Sequence, residues 1–127
     1  MITDPISDML TIIRNAAMAK KTEVVLPYSK VKFEILKILE REEYIKDVAH
    51  LNPRELKLSV KYENGAPIIR NIKRISRPGQ RIYAAYKELP VVLSDIGLAI
   101  ISTSQGIMTN KDARKRHLGG EVICEIY

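Results

Sequence analysis

One cysteine, Cys124, is all the thiol chemistry that 127 residues hold. A lone thiol cannot close an internal disulfide and supplies no metal-ligand cluster. Histidine is nearly as scarce: His50 and His117 are the only two, and neither has a partner at metal-ligand spacing. No metal and no other cofactor is therefore expected. No apolar run approaches the roughly twenty residues that cross a membrane. The opening "MITDPISDML" has no basic region followed by an apolar stretch, so no secretory signal is expected. No repeat or low-complexity tract appears. What remains is a cytoplasmic protein of one domain or two very small lobes, with apolar residues at 46%, enough for a core.

Catalytic motifs are missing too. Around Ser104 the chain reads Ser-Thr-Ser-Gln-Gly, without the first glycine of a nucleophile elbow. Gly106 is followed by Ile107 and Met108, not by the Lys-Ser/Thr of a phosphate-binding loop. Ser29-Lys30-Val31-Lys32 matches Ser-x-x-Lys formally, but its companion motifs are absent and Ser29 suits a helix cap. A small hydrolase with Ser104 as nucleophile is the weaker alternative to a binding protein, and no small-molecule substrate is expected.

What is in excess is positive charge. The chain has 21 Lys and Arg against 15 Asp and Glu, a net charge of +6. Up to Gly65 there are 11 basic and 10 acidic residues; from Ala66 onward there are 10 and 5. Charge of one sign gathered in one half points to a polyanion, most often nucleic acid.

The pattern of apolar residues predicts an α+β protein with two small lobes, 1–65 and 66–127. A helix begins near Pro5, with Thr3 or Asp4 able to cap it and Ile6, Met9, Leu10, Ile13, Ala16 and Ala17 on one face. "TEVVLP" reads as a strand. Ser29 caps a second helix whose buried stripe is Val31, Ile35, Ile38 and Leu39. "YIKDVAH" and "ELKLSVKY" form a hairpin, and "ENGAP" marks the lobe boundary. The second lobe is mostly β: "IIRNIKRIS", a turn at Pro78-Gly79, "RIYAAY", then the apolar strand "LAIIS". "TNKD" fits a capping box for a short helix from Asn110. In the closing strand Val122, Cys124 and Ile126 alternate with Glu121, Ile123, Glu125 and Tyr127.

The run "STSQG" at the end of "LAIIS" asks for an explanation. Hydroxyls donate and accept, so Ser102, Thr103 and Ser104 could meet phosphates, ribose hydroxyls or base edges. Gly106 would let backbone approach closely. Arg70, Lys73, Arg74, Arg77 and Arg81 could hold a phosphate chain, and Tyr83 and Tyr86 offer faces for an unstacked base. Each feature also has a plainer reading, as strand end, core packing or solvated helix face.

The stretch 97–126, "GLAIISTSQGIMTNKDARKRHLGGEVICEI", closely resembles the signature of a bacterial ribosomal protein family, the eighth of the small subunit. "TDPISDMLTIIRNA", "PYSKVKFEILKILEREEYI" and "RISRPGQRIY" extend the resemblance along the chain. It implies a non-enzymatic structural protein that binds the central domain of 16S ribosomal RNA directly, early in assembly, beside other small-subunit proteins. It further implies that the chain can repress its own operon's messenger RNA. The family's RNA-reading loop falls on Ser102, Thr103, Ser104, Gln105 and Gly106, and its Gly-Gly-Glu on Gly119, Gly120 and Glu121. Tyr83 and Tyr86 sit where the family has aromatic contacts, and Arg77 and Arg81 flank its central turn. Thr3, Asp4, Pro5, Arg14, Asn15, Ser29 and Lys30 match stretches expected to meet RNA backbone elsewhere. Three positions depart: Gln105 and Ile12 stand where members often carry basic residues, and Asn110 replaces a frequent aspartate. Glu121 is odd for an RNA site; an orienting role within the loop is the expectation.

Overall fold

The computed structural model describes residues 3–127 and confirms an α+β chain built from antiparallel sheets. It divides into two compact units, Pro5–Arg70 and a second made of Asn71–Tyr127 together with the segment ending at Asp4.

The first unit sets two helices, α1 (Pro5–Met18) and α2 (Lys30–Arg41), with the sheet of β1 (Glu23–Pro27), β2 (Ile45–Asn52) and β3 (Glu55–Val60). Strand order is β1-β3-β2, all antiparallel. Helix α1 buries Met9, Leu10, Ile13, Ala16 and Ala17, the face that its 3.6-residue periodicity predicts. Helix α2 starts at Ser29, whose side chain accepts from the Lys32 amide at 3.2 Å. Its stripe is Ile35, Leu36, Ile38 and Leu39; Val31 is 42% exposed, so the buried face begins a turn later than the sequence suggests and includes Leu36. In β3, Leu56, Leu58 and Val60 are buried as alternation requires. The Asn64-Gly65 signal is the tip of a small hairpin joining β4 (Tyr62–Glu63) and β5 (Ala66–Pro67). Both residues have φ near +50° to +80° (Asn64 53°, Gly65 80°), as a two-residue hairpin turn demands. This hairpin lies inside the first unit, which continues to Arg70.

The second unit is a five-stranded sheet. Strand β10 (Gly120–Ile126) lies between β8 (Leu98–Thr103) on one side and β6 (Ile72–Arg74) and β7 (Tyr83–Ala84) on the other; β9 (Gly106–Thr109) pairs with β8 at the edge. The predicted strand "IIRNIKRIS" shrinks to three residues, and "RIYAAY" to two followed by a single 3-10 turn at Tyr86–Glu88. Helix α3 (Asn110–Lys115) is capped by Thr109, whose hydroxyl accepts from the Asp112 amide at 3.2 Å. Ala113 packs with Leu89, Val92, Ala99, Ile101, Met108 and Val122 in the core on one face of the sheet.

The alternation expected in β10 does not hold. Val122 lies opposite Ile101, but Cys124 lies opposite Ile100, so Ile123 is an extra residue in a bulge. Val122 therefore faces the α3 side while Cys124 and Ile126, opposite Ile100 and Leu98, face the other way, and Ile123 is buried as well (3% exposed). Tyr127, beyond the bulge, returns to the Val122 side and packs against the same core.

Candidate nucleic-acid interface

Strand β8 carries the hydroxyl run out of the core because Leu98, Ala99, Ile100 and Ile101 are all buried and anchor it. Polarity begins where the strand leaves the apolar layer. The β8–β9 hairpin turns through Ser104 and Gln105, with Thr103 opposite Gly106. Gly106 has φ +116°, and nothing lies within 4 Å of where its Cβ would be. The backbone angle, not crowding, is what selects glycine there. Thr103 is committed to this turn: Oγ1 donates to the Gly106 carbonyl at 2.8 Å and accepts from the Gln105 amide at 3.1 Å. Of the three consecutive hydroxyls, one builds the tip. Ser104, Gln105 and Gly106 are exposed and Ser102 is half-buried.

Register then places the neighbours. Glu121 stands opposite Ser102 on one side and Tyr83 on the other, and Ser102 stands opposite Ile107. Directly opposed residues share a sheet face, so Tyr83, Glu121, Ser102 and Ile107 form a transverse row. It lies on the face opposite Ile101, Val122 and Met108, that is, away from α3. Tyr83 is 70% exposed, with a ring face available to a base.

Glu121 does have an orienting role, but towards a different loop from the one expected. Its Oε2 accepts from Ser76 Oγ at 2.5 Å and from Arg81 Nη1 at 3.0 Å. Ser76 Oγ in turn accepts from the Ile82 amide at 3.1 Å. Partial burial alone would raise the Glu121 carboxyl, but the hydrogen bonds from Ser76 and Arg81 and the charges of Arg81 and Arg74 hold it below the ordinary glutamate value. The same contact raises Arg81 further above an already high value and holds its guanidinium to Glu121. Between these anchors the turn at Pro78-Gly79 is closed by reciprocal bonds of Arg77 and Gln80, at 3.1 and 2.9 Å, which leaves Arg77 exposed at the rim.

Other residues singled out from the sequence have structural duties. Tyr86 is half-buried against the core, with the His117 ring centroid 4.9 Å away and Lys87 Nζ 5.8 Å from its own. It is a packing residue, and Tyr83 is the exposed ring. Gly119 and Gly120 allow close strand contact: a Cβ on Gly119 would lie 2.5 Å from the Ala84 carbonyl oxygen, and one on Gly120 would collide with the Ser102 carbonyl. They bring β10 against β7 and β8 and so position the row. Arg74, read as a phosphate contact, is buried instead. Its Nε and Nη2 donate to Asp4 at 3.1 and 3.3 Å, and its Nη1 to the Ile123 carbonyl at 2.7 Å. Asp4 is thus engaged by Arg74, while Thr3 is exposed. In the first unit Pro5, Asn15 and Lys30 are exposed, Arg14 and Ser29 half-buried; Ser29 serves as the cap and Asn15 lines a shallow groove with Ile12 and Val25.

Two residues have buried bonding roles that the sequence pattern did not assign them. Ser76 is fully buried and 45 residues from Glu121, so only the folded sheet joins them. Asn110 is also fully buried, accepting from the Ala99 amide at 3.1 Å and donating to the Pro90 carbonyl at 2.8 Å.

A family model described as "Ribosomal protein S8" matches residues 4–127. The chain belongs to the ribosomal protein S8 family. It is similar over its whole length to the small ribosomal subunit protein uS8 of Nitratidesulfovibrio vulgaris (Miyazaki F), at 48% identity with all of both chains covered. Against the protein of the same name from Neisseria meningitidis serogroup C the identity is 50%, with 95% of each chain covered. Against that of Shewanella pealeana it is 50%, with 97% of this chain and 96% of the relative covered. The ribosomal protein S8 match takes in both units and every residue of the surface just described except Thr3. A member of this family is a structural protein of the small ribosomal subunit, with a role in translation.

Proposed function

We propose that this chain binds the central domain of 16S ribosomal RNA directly, as a non-enzymatic, cytoplasmic assembly protein, and that the second unit supplies the specificity. The observation that carries this reading is the exposed Ser104-Gln105-Gly106 tip, held open by Thr103 and continued across the sheet by Ser102, Glu121 and Tyr83. Neutral hydroxyls and an exposed backbone suit ribose hydroxyls and base edges. A regular A-form helix displays its 2′-hydroxyls in a shallow minor groove but closes its major-groove base edges to side chains, so reading bases requires an irregular element. The target is therefore an irregular element, with one unstacked base against Tyr83 and phosphates against Arg81 and Arg77. Thr3, Pro5, Arg14, Asn15, Ser29 and Lys30 add backbone contacts that position the protein without reading sequence. Other small-subunit proteins border the bound chain, and a messenger RNA that imitates the ribosomal element would occupy the same surface, giving repression of its own operon.

The test is binding of wild type and Ser104→Ala to a central-domain RNA fragment and to a regular duplex of equal length, across a salt series. Wild type is expected to prefer the fragment at every salt concentration, and the variant to lose about tenfold of that preference, on the order of 1.4 kcal/mol, with an unchanged salt slope. Equal preference in the two proteins would make the tip structural and overturn this account of recognition.

A further inference from the structure

The proposed RNA row lies on one face of the second unit's sheet, and a separate cationic surface lies on the other. Helix α3 packs Ala113 into the core beside Ile101 and Val122. At 100° per residue, Lys111 and Lys115, two positions to either side of Ala113, point roughly 160° away from it, directly outward. The cations of this segment divide by duty. Lys111 donates to the Asp95 carbonyl at 2.8 Å, and Arg114 reaches the Leu89 and Pro90 carbonyls at 3.5 Å, tying the helix to the loop before β8. Lys115, Arg116 and Lys87 are exposed and, among the described residues, pair with no carboxylate. Lys87 belongs to the 3-10 turn Tyr86–Glu88, which packs against α3. Its Nζ lies 5.8 Å from the Tyr86 ring, which in turn meets the His117 ring just after Arg116. Asp112 and Glu88 are the acidic residues of these two elements, so the patch stays net positive.

We propose that Lys87, Lys115 and Arg116 form a second phosphate-binding surface. It holds an RNA segment different from the one read by the Ser104 tip, so that the unit is wedged between two segments. The inference rests on the RNA-binding reading above and extends it. The separation argues for two segments: the sheet and the α3 cylinder, itself about 10 Å across, stand between the row and the patch. A strand seated on Tyr83 and Ser102 cannot reach Lys115 without turning round the unit. Tyr86 is half-buried with His117 and Lys87 against its ring, so the patch acts through its cations, attracting phosphate without reading base edges.

The experiment uses the full chain. Cys124 is buried and its thiol is pushed up to about 12 by burial, so a cysteine introduced at an exposed position is labelled selectively. An iron-chelate cleavage probe is placed on Gln105→Cys in one protein and on Lys115→Cys in another, each bound to the central-domain fragment. Cuts from position 105 and from position 115 are expected in two non-adjacent RNA segments. In parallel, Lys115→Gln/Arg116→Gln is expected to make the salt slope of log K shallower by about 1 to 2, at roughly 0.7 to 0.9 for each lost phosphate contact, while the preference for the fragment over the duplex persists. Cuts from 105 with none from 115, cuts from both in one segment, or an unchanged slope would overturn the second surface and leave the tip reading standing. Loss of preference in Ser104→Ala tests that reading separately.

Discussion

Removing the charge of Asp4 should cost stability out of proportion to its place near the start of the chain. The Arg74 side chain is 5% exposed and that of Asp4 18%. Two of the three hydrogen bonds described for the guanidinium end on Asp4, and only the bond to the Ile123 carbonyl survives its loss. Stripping one partner from a buried ion pair costs about 3–5 kcal/mol. Asp4→Asn keeps one acceptor oxygen and the site is partly solvated, so about 2–3 kcal/mol is expected. At roughly 2.1 cal/mol/K of unfolding entropy per residue, a chain of this size loses about 4 °C for each kcal/mol, so Tm should fall by about 8–12 °C in a circular-dichroism melt at pH 7. Asp4→Asn combined with Arg74→Met should recover most of that loss, because replacing both members of a buried pair with uncharged groups is close to neutral. A single variant melting within 2 °C of wild type, or a double variant less stable than the single, would show that the pair is not a buried anchor.

Two further outcomes follow from groups in the same unit. The Glu121 carboxyl lies below the ordinary 4.5 in the folded chain, so its contribution is full above that value and disappears as pH falls through the lower folded one; the Tm gap between wild type and Glu121→Gln should be widest near pH 7 and close as pH falls below 4, and a gap constant with pH would refute the assignment. Asn110→Asp keeps the Ala99 bond but turns an acceptor towards the Pro90 carbonyl, so urea midpoints should show a loss of about 1–3 kcal/mol at pH 7 that shrinks at pH 3.5, where a protonated acid can donate again.

Features set by neighbours in sequence were legible from sequence. The α1 face, the Ser29 and Thr109 caps and the Pro78-Gly79 turn each depend on residues within one or two turns of one another, and each stands as expected. What failed was decided across the sheet. Nothing local distinguishes Arg74 from the exposed Lys73 beside it; the acceptors at Asp4 and Ile123 do. Strict alternation in "EVICEIY" gave no warning of an extra residue at Ile123, because a bulge is defined only against the partner strand. The hydroxyl tip lay between these cases. Its position was readable, but the division of labour between Thr103 and Ser104 required the hairpin register.

That division has a kinetic side. A tip whose middle hydroxyl is bonded to its own backbone has lost its conformational freedom when the protein folds, long before any partner arrives. On the RNA-binding reading proposed above, encounter would order only the RNA and a few side chains, which would favour rapid capture and slow release over gradual mutual adjustment. On that same reading, such a tip would serve as a template to which a flexible nucleic acid conforms, the stiff partner being the protein.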